Sequence, residues 1–376
     1  MVPSEFWSKL KLELISSGNK YYTDNFDYYS FGTKISFKKK VINQFKRVGF
    51  SSPVLSIICK SDFLFYSFFL VFLFKWKKYI DPLEFFYNNL ATEESKELYL
   101  KLVAYRLLGY TKVRLPLSTP DFWNGIKECE KVKDENNFID VKSFPWKVYL
   151  HNMGKFGFPQ KVYINSKGAF TTYILQQYVK KINGKNLGPE KGDIAIDLGG
   201  CYGDTSIFFT HIVGKEGKVY AFEFIPGNLN VFKKNLALNN LGKESVEIVE
   251  RPLWDTSDKK IYYTDAGAAS HVSFENFEGC EGEALTITVD DFVEKYNIKK
   301  LDFIKTDIEG AEPYALKGGI KTLNRFKPKL AISIYHGMND FTSIIRQIDE
   351  LGLGYKFYLG HYTIYASETV LYCSVE

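Results

Sequence analysis

Residues 192–223, GDIAIDLGGCYGDTSIFFTHIVGKEGKVYAFE, contain two short apolar segments separated by a glycine-rich turn and a helical pattern. Ile194–Ile196 is continuously apolar, as expected for a strand that is buried on both faces. The helical pattern covers residues 204–213 and ends at a glycine, and Val219–Phe222 follows as a second apolar run. The stretch therefore predicts a strand-turn-helix-strand unit of the kind found in doubly wound α/β proteins.

The turn of this unit is suited to ligand binding. Three glycines leave room for a ligand to approach the backbone: Gly199, Gly200 and Gly203. Asp204 and Thr205 follow as candidate caps of the helix. We expect all five residues to line a cofactor site.

The acidic residues around the turn indicate which cofactor binds. Asp197 and Asp204 flank the glycines, and two carboxylates would repel the pyrophosphate that a dinucleotide places on such a turn. The spacing G-G-x-x-G also departs from the dinucleotide fingerprint. S-adenosylmethionine (SAM) fits better, because its sulfonium and α-amine are cationic. We predict that SAM binds here, with Asp197 near the amine and Glu223 accepting hydrogen bonds from the ribose hydroxyls.

A second group of acids follows the buried strand pattern Leu301–Thr306, LDFIKT. Ligands of open α/β sheets bind beyond the carboxyl ends of the strands, so Asp307 and Glu309 should lie near the methyl donor. Acids at this spacing can position a hydroxyl, take up a proton or hold a cation. Glu312 belongs to the same run, although a position in the first turn of a helix would account for it alone.

Two histidines follow predicted strands near the end of the chain. His336 comes directly after Pro328–Tyr335 and should therefore face the same crevice as Asp307. An unperturbed histidine is mostly neutral at pH 7, so His336 and Asp307 are the candidate proton acceptors. His361, placed in the loop between the last two strands, is a weaker candidate.

Composition sets the broad class. The chain has 376 residues, 45% hydrophobic and 25% charged, as in globular proteins, and it is long enough for two domains. The net charge of +5 does not call for a nucleic acid partner. Five scattered cysteines form no C-x-x-C pair, which favours a reducing compartment and no zinc site, and no spacing completes a metal ligand set. Without a signal-peptide pattern at residues 1–13, we expect a cytoplasmic protein.

The first 145 residues predict a mainly helical accessory region that precedes a catalytic domain at 146–376. Phe63–Phe74, FLFYSFFLVFLF, is followed by a basic, tryptophan-containing segment that ends at Lys78. This apolar run fits a buried helix, or a helix that lies against the inner face of a membrane or against a partner. Thr92–Leu108 predicts an amphipathic helix, and residues 111–145 predict a connecting region on the surface.

Several of these stretches together resemble the FkbM family of SAM-dependent methyltransferases. The matching segments are GDIAIDLGGCYGDTSIFF, GKVYAFEFIPGNLNVFKKNLALN, LDFIKTDIEGAEPYALKGG, KPKLAISIYHGMNDF, GYKFYLGHYTIYASETVLY and, upstream, TEESKELYLKLVAYRLLG. The resemblance implies a class I, Rossmann-like fold with a seven-stranded, mostly parallel sheet and helices on both faces. It also implies O-methylation, commonly of sugars or natural products. The residues that match its motifs are Asp197, Gly199, Gly203 and Glu223 for the cofactor and Asp307, Glu309 and His336 beside the transferred methyl group.

The sequence therefore predicts an O-methyltransferase that acts on a sugar hydroxyl, within a glycan, glycolipid or surface polysaccharide precursor. Two alternatives stay open at this point. One is methylation of a lipid or small-molecule hydroxyl, with a divalent cation at Asp307 and Glu309. The other is a non-catalytic SAM-fold module that binds a glycan or a membrane.

We predict that Phe63–Phe74 does not span a bilayer. Twelve helical residues reach about 18 Å, against roughly 30 Å of hydrocarbon, and a longer span would bury Lys60 and Asp62. On fractionation of cells, salt or carbonate should release any membrane-bound protein. Recovery in the pellet until detergent is added would contradict this prediction.

Overall fold

The computed structural model describes residues 4–28, 77–142, 146–182, 184–267 and 270–375. These residues form two compact units. The first unit comprises Met1–Asn89, Lys96–Ser118 and Ile364–Ala366, and the second comprises Leu90–Ser95, Thr119–Thr363 and Ser367–Glu376. The division proposed from the sequence, at residue 145, stays a prediction.

The first unit is helical in its described part. Its helices are α1 (Glu5–Gly18), α2 (Ile80–Asn89) and the part of α3 (Glu93–Leu108) from Lys96 onward. Aromatic side chains form its interior: Phe86 stacks on Tyr99 with ring centroids 4.5 Å apart, and Phe6 packs against Tyr87 at 5.3 Å. These rings are fully buried, so hydrophobic burial is the main stabilising term. No helix in the described ranges is both long enough and apolar enough to cross a membrane.

A seven-stranded sheet forms the centre of the second unit and confirms the predicted fold class. All its neighbouring strands are parallel except those that pair with β15, which runs antiparallel to both neighbours. In sheet order the strands are β14 (Lys356–His361), β15 (Thr369–Ser374), β13 (Lys329–Ser333), β12 (Phe303–Thr306), β6 (Ile194–Leu198), β7 (Lys218–Phe222) and β8 (Val246–Val249).

The helices and smaller sheets of this unit complete the fold. The helices are α4 (Pro120–Glu130), α5 (Ser166–Ala169), which continues as a π-helix (Phe170–Ile174), α6 (Asp204–Val213), α7 (Pro226–Leu238), α8 (Val289–Lys295), α9 (Glu312–Lys317), α10 (Ile320–Phe326) and α11 (Asp340–Asp349). The remaining strands are β1 (Lys133–Asp140), β2 (Lys147–Asn152) and β3 (Lys161–Ile164) in one sheet, the pair β4 (Lys181–Ile182) and β5 (Lys185–Asn186), and β9 (Lys260–Tyr263), β10 (Val272–Ser273) and β11 (Gly282–Leu285) in another.

The two central strands, β6 and β12, are buried at consecutive residues, which means that both sheet faces are covered. One charged residue interrupts this apolar pattern. Lys305 of β12 is buried, and its Nζ lies 2.8 Å from Oδ1 of Asp197, the equally buried partner in β6. The same Nζ donates to the carbonyl oxygen of Gly199 at 2.8 Å. A buried ion pair therefore joins the two central strands at the beginning of the glycine turn.

Two local predictions were wrong. Residues 111–145 were expected to be a surface connection, but they include α4, whose Phe122, Ile126 and Cys129 are buried, and the strand β1. The pattern of Thr171–Lys181 predicts a helix that carries Gln177 and Tyr178 at the entrance to the cofactor site, but the π-helix ends at Ile174. Gln176 then adopts a left-handed backbone with φ +50°, which a helix cannot continue.

His361 also lies elsewhere than expected. It is the last residue of β14 rather than part of a loop, and its buried ring contacts Thr369 Oγ1 at 2.9 Å through Nδ1. A buried histidine with a hydrogen-bonded neighbour in the adjacent strand has a structural explanation. The apolar segment Phe63–Phe74 lies outside the described residues, so its prediction stands as made.

We predict that Lys305→Met lowers the free energy of unfolding by about 3–5 kcal/mol, because it leaves the buried Asp197 carboxylate without its partner. Chemical denaturation followed by circular dichroism measures the change. The matched control is Lys260→Met, which breaks an exposed pair with Glu283 and should change stability by less than about 1 kcal/mol. Adding Asp197→Asn to Lys305→Met should recover part of the loss. Equal, small effects of both lysine substitutions would contradict the role of the buried pair.

Candidate active site

The glycine turn between β6 and α6 is tightly packed against the end of β12. Gly199 has φ +88°, and a Cβ added there would lie 1.9 Å from the carbonyl oxygen of Asp307. Gly203 has φ +82°, and its Cβ would meet the ring of Phe232 at 2.0 Å. Any side chain at these positions would therefore displace the turn. The approach of a ligand to this backbone, expected from the sequence, stays a prediction.

Asp197, predicted to lie near the amine of the cofactor, has no exposed surface. Besides its ion pair with Lys305, it accepts a hydrogen bond from Ser206 of α6 at 2.5 Å. Its charge is thus compensated within the protein, and the turn is less negative than the sequence alone suggested. The interaction of Asp197 with the amine of the cofactor stays a prediction. Because Asp197 is buried, it would act through the electrostatic field of the Asp197–Lys305 ion pair rather than by direct contact.

Glu223 lies at the end of β7, as predicted, and its carboxylate is held in one orientation. Oε1 accepts hydrogen bonds from the backbone N–H groups of Phe224 and Ile225 at 2.7 and 2.8 Å. Oε2 accepts one from Asn228 at 3.1 Å. Burial raises the pKa of Glu223, whereas these bonds and the backbone amide of Cys201 lower it. The carboxylate therefore lies beside the glycine turn, preorganised to accept further hydrogen bonds.

The first residues of α6 are less exposed than caps usually are. Asp204 accepts a hydrogen bond from Thr172 Oγ1 at 2.8 Å, and its side chain does not cap the helix. Burial raises the pKa of Asp204, opposed by the bond from Thr172. Thr205 is buried in the first turn. Both residues adjoin the turn, as expected.

Asp307 lies at the carboxyl end of β12 and is oriented by two tyrosines. Tyr178 donates to its Oδ2 at 2.8 Å, and Tyr335 donates to its Oδ1 at 3.1 Å. Burial alone would raise the pKa of Asp307, but His336 and Lys305 hold it below its ordinary value. The carboxylate is therefore ionised at neutral pH, with a defined direction in the crevice.

His336 is surrounded by acids. Its Nε2 lies 3.3 Å from Asp307 Oδ1 and 3.6 Å from Glu309 Oε2, and its Nδ1 lies 3.2 Å from Glu312 Oε1. Burial alone would lower the pKa of His336, but Asp307 and Glu312 raise it far above the ordinary value. The surrounding acids therefore favour the protonated ring rather than the neutral ring expected from the sequence.

Glu309 is the most accessible carboxylate of this group. Its side chain is 63% exposed, and its backbone is left-handed with φ +56°, a strained conformation for glutamate. The following Gly310, with φ +96°, continues the turn. Desolvation in the crevice raises the pKa of Glu309 to about 7, opposed by His336 and assisted by Asp307. The turn therefore presents one solvent-accessible carboxylate beside two that are held in place.

Sequence reasoning brought Asp307, Glu309 and His336 together correctly but missed the residues that hold them. These are Lys305, Tyr335 and Glu368, whereas Gln177 and Tyr178 were expected at the entrance to the cofactor site. Gln177 donates to Glu368 Oε2 at 2.8 Å, and burial, together with Asp307, raises the pKa of Glu368. A signal existed for Lys305, because a lysine in an apolar strand must be paired when buried. No sequence signal identifies Glu368.

Together with the strand order, the turn and Glu223 give the second unit the layout of a SAM-dependent methyltransferase. Residues 197–357 of the chain match the family model described as Methyltransferase FkbM domain. SAM is accordingly its cofactor, which confirms the prediction made from the charges around the turn.

Solved structures with a similar arrangement are distant in sequence. The methyltransferase FkbM from Methylobacillus flagellatus KT is 16% identical with a TM-score of 0.49 and is matched over 80% of this chain, which spans 60% of that protein. Fibrillarin from Aeropyrum pernix, solved with natively bound SAM, is 13% identical with a TM-score of 0.32, over 63% of this chain and 99% of its own. No curated protein matches the chain in sequence.

We predict that Glu223→Ala weakens SAM binding by about 1–3 kcal/mol, because hydrogen bonds to an ionised carboxylate are lost. Isothermal titration calorimetry measures the affinity, and Glu223→Gln, which keeps one acceptor oxygen, should lose less. The control is Glu250→Ala, which removes an exposed acid paired with Lys233 and should leave the affinity unchanged. Wild-type affinity in a folded Glu223→Ala protein would exclude Glu223 from the cofactor site.

Proposed function

We propose that this protein transfers the methyl group of SAM to a hydroxyl of a sugar, within a glycan, glycolipid or surface polysaccharide precursor. The observation that carries the proposal is the convergence of Asp307, Glu309 and His336 at the carboxyl ends of β12 and β13. This group adjoins the glycine turn, because the carbonyl oxygen of Asp307 packs against Gly199. Cofactor and acceptor groups are thus neighbours, as a transfer reaction requires.

SAM supplies an electrophilic methyl group on a sulfonium, and transfer to oxygen is an in-line displacement at that carbon. The carbon–sulfur bond breaks as the carbon–oxygen bond forms, and the acceptor hydroxyl gives up its proton. The protein's contribution is to align the hydroxyl with the methyl group and to receive this proton. Both tasks need groups that accept hydrogen bonds at the strand ends.

The structure supports a division of these tasks between the two acids. Asp307 is held by Tyr178 and Tyr335 and is suited to orient the acceptor hydroxyl. Glu309 is open to solvent and lies 3.6 Å from His336, so it can take the proton and release it to water. His336 lies 3.3 Å from Asp307 and 3.6 Å from Glu309 and so holds both acids in place. This assignment replaces His336 by Glu309 as the favoured proton acceptor.

A sugar fits this crevice chemically. Adjacent hydroxyls of a sugar ring donate hydrogen bonds, and carboxylates accept them in pairs. Asp307 and Glu309, with Glu368 near Asp307, place such acceptors close together at the strand ends. This arrangement offers more to a polyhydroxylated acceptor than to a lipid with one hydroxyl, which is why the sugar is proposed ahead of the alternatives.

The setting of the reaction is also a proposal. A cytoplasmic site of action, at the inner face of a membrane, would suit a lipid-linked sugar precursor. The segment Phe63–Lys78 is the proposed contact with that membrane or with a partner, and its apolar part lies outside the described residues.

We predict that Glu309→Gln lowers kcat by roughly 10²–10⁴-fold, the usual range for the loss of a general base. Its affinity for SAM should stay within about twofold, because Glu223 and the turn bind the cofactor. The assay follows methyl transfer from labelled SAM to a panel of sugar acceptors, with the exposed Glu294→Gln as the charge-matched control. A kcat near wild type for Glu309→Gln would contradict Glu309 as the proton acceptor and leave Asp307 or His336 as the candidate base.

A further inference from the structure

Three side chains come together at the strand ends, and the proposed methyl transfer does not assign a role to all of them. Asp307 follows β12, Glu312 begins α9, and His336 follows β13, so three separate elements contribute one residue each. One ligand atom from each lies within 4.8 Å of the other two. Each atom belongs to a residue type that binds metal ions in proteins.

The hydrogen bonding of this group is incomplete although the group is buried. Glu312 has no exposed surface; its Oε1 accepts a hydrogen bond from the N–H of Ile308 at 2.9 Å, but its Oε2 has no hydrogen-bond partner. The side chain of His336 is 9% exposed, and neither of its ring nitrogens makes a hydrogen bond of good geometry. Buried polar atoms are normally satisfied, so these three atoms point to a missing ligand.

The distances match those between neighbouring ligands of a metal ion. At a metal–ligand distance of about 2.1 Å, adjacent ligand atoms are about 3 Å apart, and their lone pairs point at the ion rather than at each other. His336 Nε2 lies 3.3 Å from Asp307 Oδ1, and its Nδ1, on the other side of the ring, lies 3.2 Å from Glu312 Oε1. An imidazole binds one ion through one nitrogen only, so the ion would replace one of these two contacts. The second carboxylate stays within reach, because one ligand atom of each residue lies within 4.8 Å of the other two.

Charge favours the same occupant. Two carboxylates and a neutral imidazole carry a charge of −2, which a divalent cation neutralises. Glu309 adds negative charge beside the group, since its Oε2 lies 3.6 Å from His336.

We propose that Asp307, Glu312 and His336 bind a divalent cation of the first transition row, such as Mn²⁺ or Zn²⁺. Mixed carboxylate and imidazole ligands favour these ions over Mg²⁺ and Ca²⁺, which bind mostly oxygen. The site differs from a cation at Asp307 and Glu309, the alternative left open by the sequence, because Glu312 and His336 are the buried ligands. This inference rests on the proposed function only for its role: a bound cation would lower the pKa of an acceptor hydroxyl.

Binding of the metal alone tests the proposal. Wild-type protein is freed of metal with a chelator and titrated with Mn²⁺, and the loss of the free-ion electron paramagnetic resonance signal gives the affinity. Zn²⁺ is tested by competition with a chromophoric chelator. We expect one ion per chain. Asp307→Asn, Glu312→Gln and His336→Asn should each weaken binding at least about tenfold. Glu278→Gln, an exposed acid on another segment, should change it less than about twofold.

The metal proposal can fail without the proposed function failing, and the experiment distinguishes the two cases. Circular dichroism shows which variants are folded, and Glu312→Gln keeps an acceptor for the Ile308 N–H, so at least one near-isosteric variant is available. Calorimetry of SAM on the same samples tests the cofactor site independently. If folded wild-type protein binds SAM but neither ion at millimolar concentration, or if all three variants bind the ion like wild type, the metal proposal is overturned. The methyltransferase assignment would survive either result.

Discussion

The ion pair between Lys305 and Asp197 is the interaction on which the architecture of the site depends. Both side chains are buried, and the lysine also donates to the carbonyl oxygen of Gly199. The ammonium group of Lys305 thus contacts both the neighbouring central strand and the start of the glycine turn. Because both charges have left water, the pair contributes little net stability compared with an apolar pair. The ion pair instead fixes the relative position of the two strands, because the glycine turn after β6 and Asp307 after β12 must pack within van der Waals distance of each other.

Glu309 and Glu368, two acids of the candidate site, are held in conformations that cost local stability. Glu309 and Glu368 both have left-handed backbones, with φ +56° and +54°, which glutamate rarely adopts. Both carboxyl groups have raised pKa values, chiefly because of desolvation, and both lie near Asp307. Strain and like-charge repulsion at one place are consistent with the proposal that these acids bind a ligand. A sugar, a cation or both would relieve the repulsion by adding hydrogen-bond donors or positive charge.

Local pattern was sufficient for the central sheet. The strands at Ile194, Val219 and Phe303 and the helix at Asp204 were predicted within about two residues, because buried parallel strands are continuously apolar and glycines end the helices. The region after Phe170 was not predicted, since a left-handed Gln176 and a π-helix have no reliable sequence signal.

The candidate site was predicted as a set of positions but not as an electrostatic unit. The rule that ligands bind beyond strand ends correctly brought Asp307 and His336 together. It could not show that acids contact both ring nitrogens of His336, because those distances depend on how the turn at Glu309 bends. The tyrosines that orient Asp307 come from distant positions, Tyr178 and Tyr335, and their convergence is a property of the tertiary structure alone.

The central claim is that the glycine turn and Glu223 bind the cofactor with its sulfur facing the Asp307 group. A crystal structure of the protein with the demethylated product, S-adenosylhomocysteine, tests this most directly. The account predicts ribose hydroxyls within hydrogen-bond distance of Glu223, about 2.6–3.2 Å, and the sulfur directed at the crevice that contains Asp307, Glu309 and His336. A nucleoside bound elsewhere, or a sulfur that points away from these residues, would contradict it.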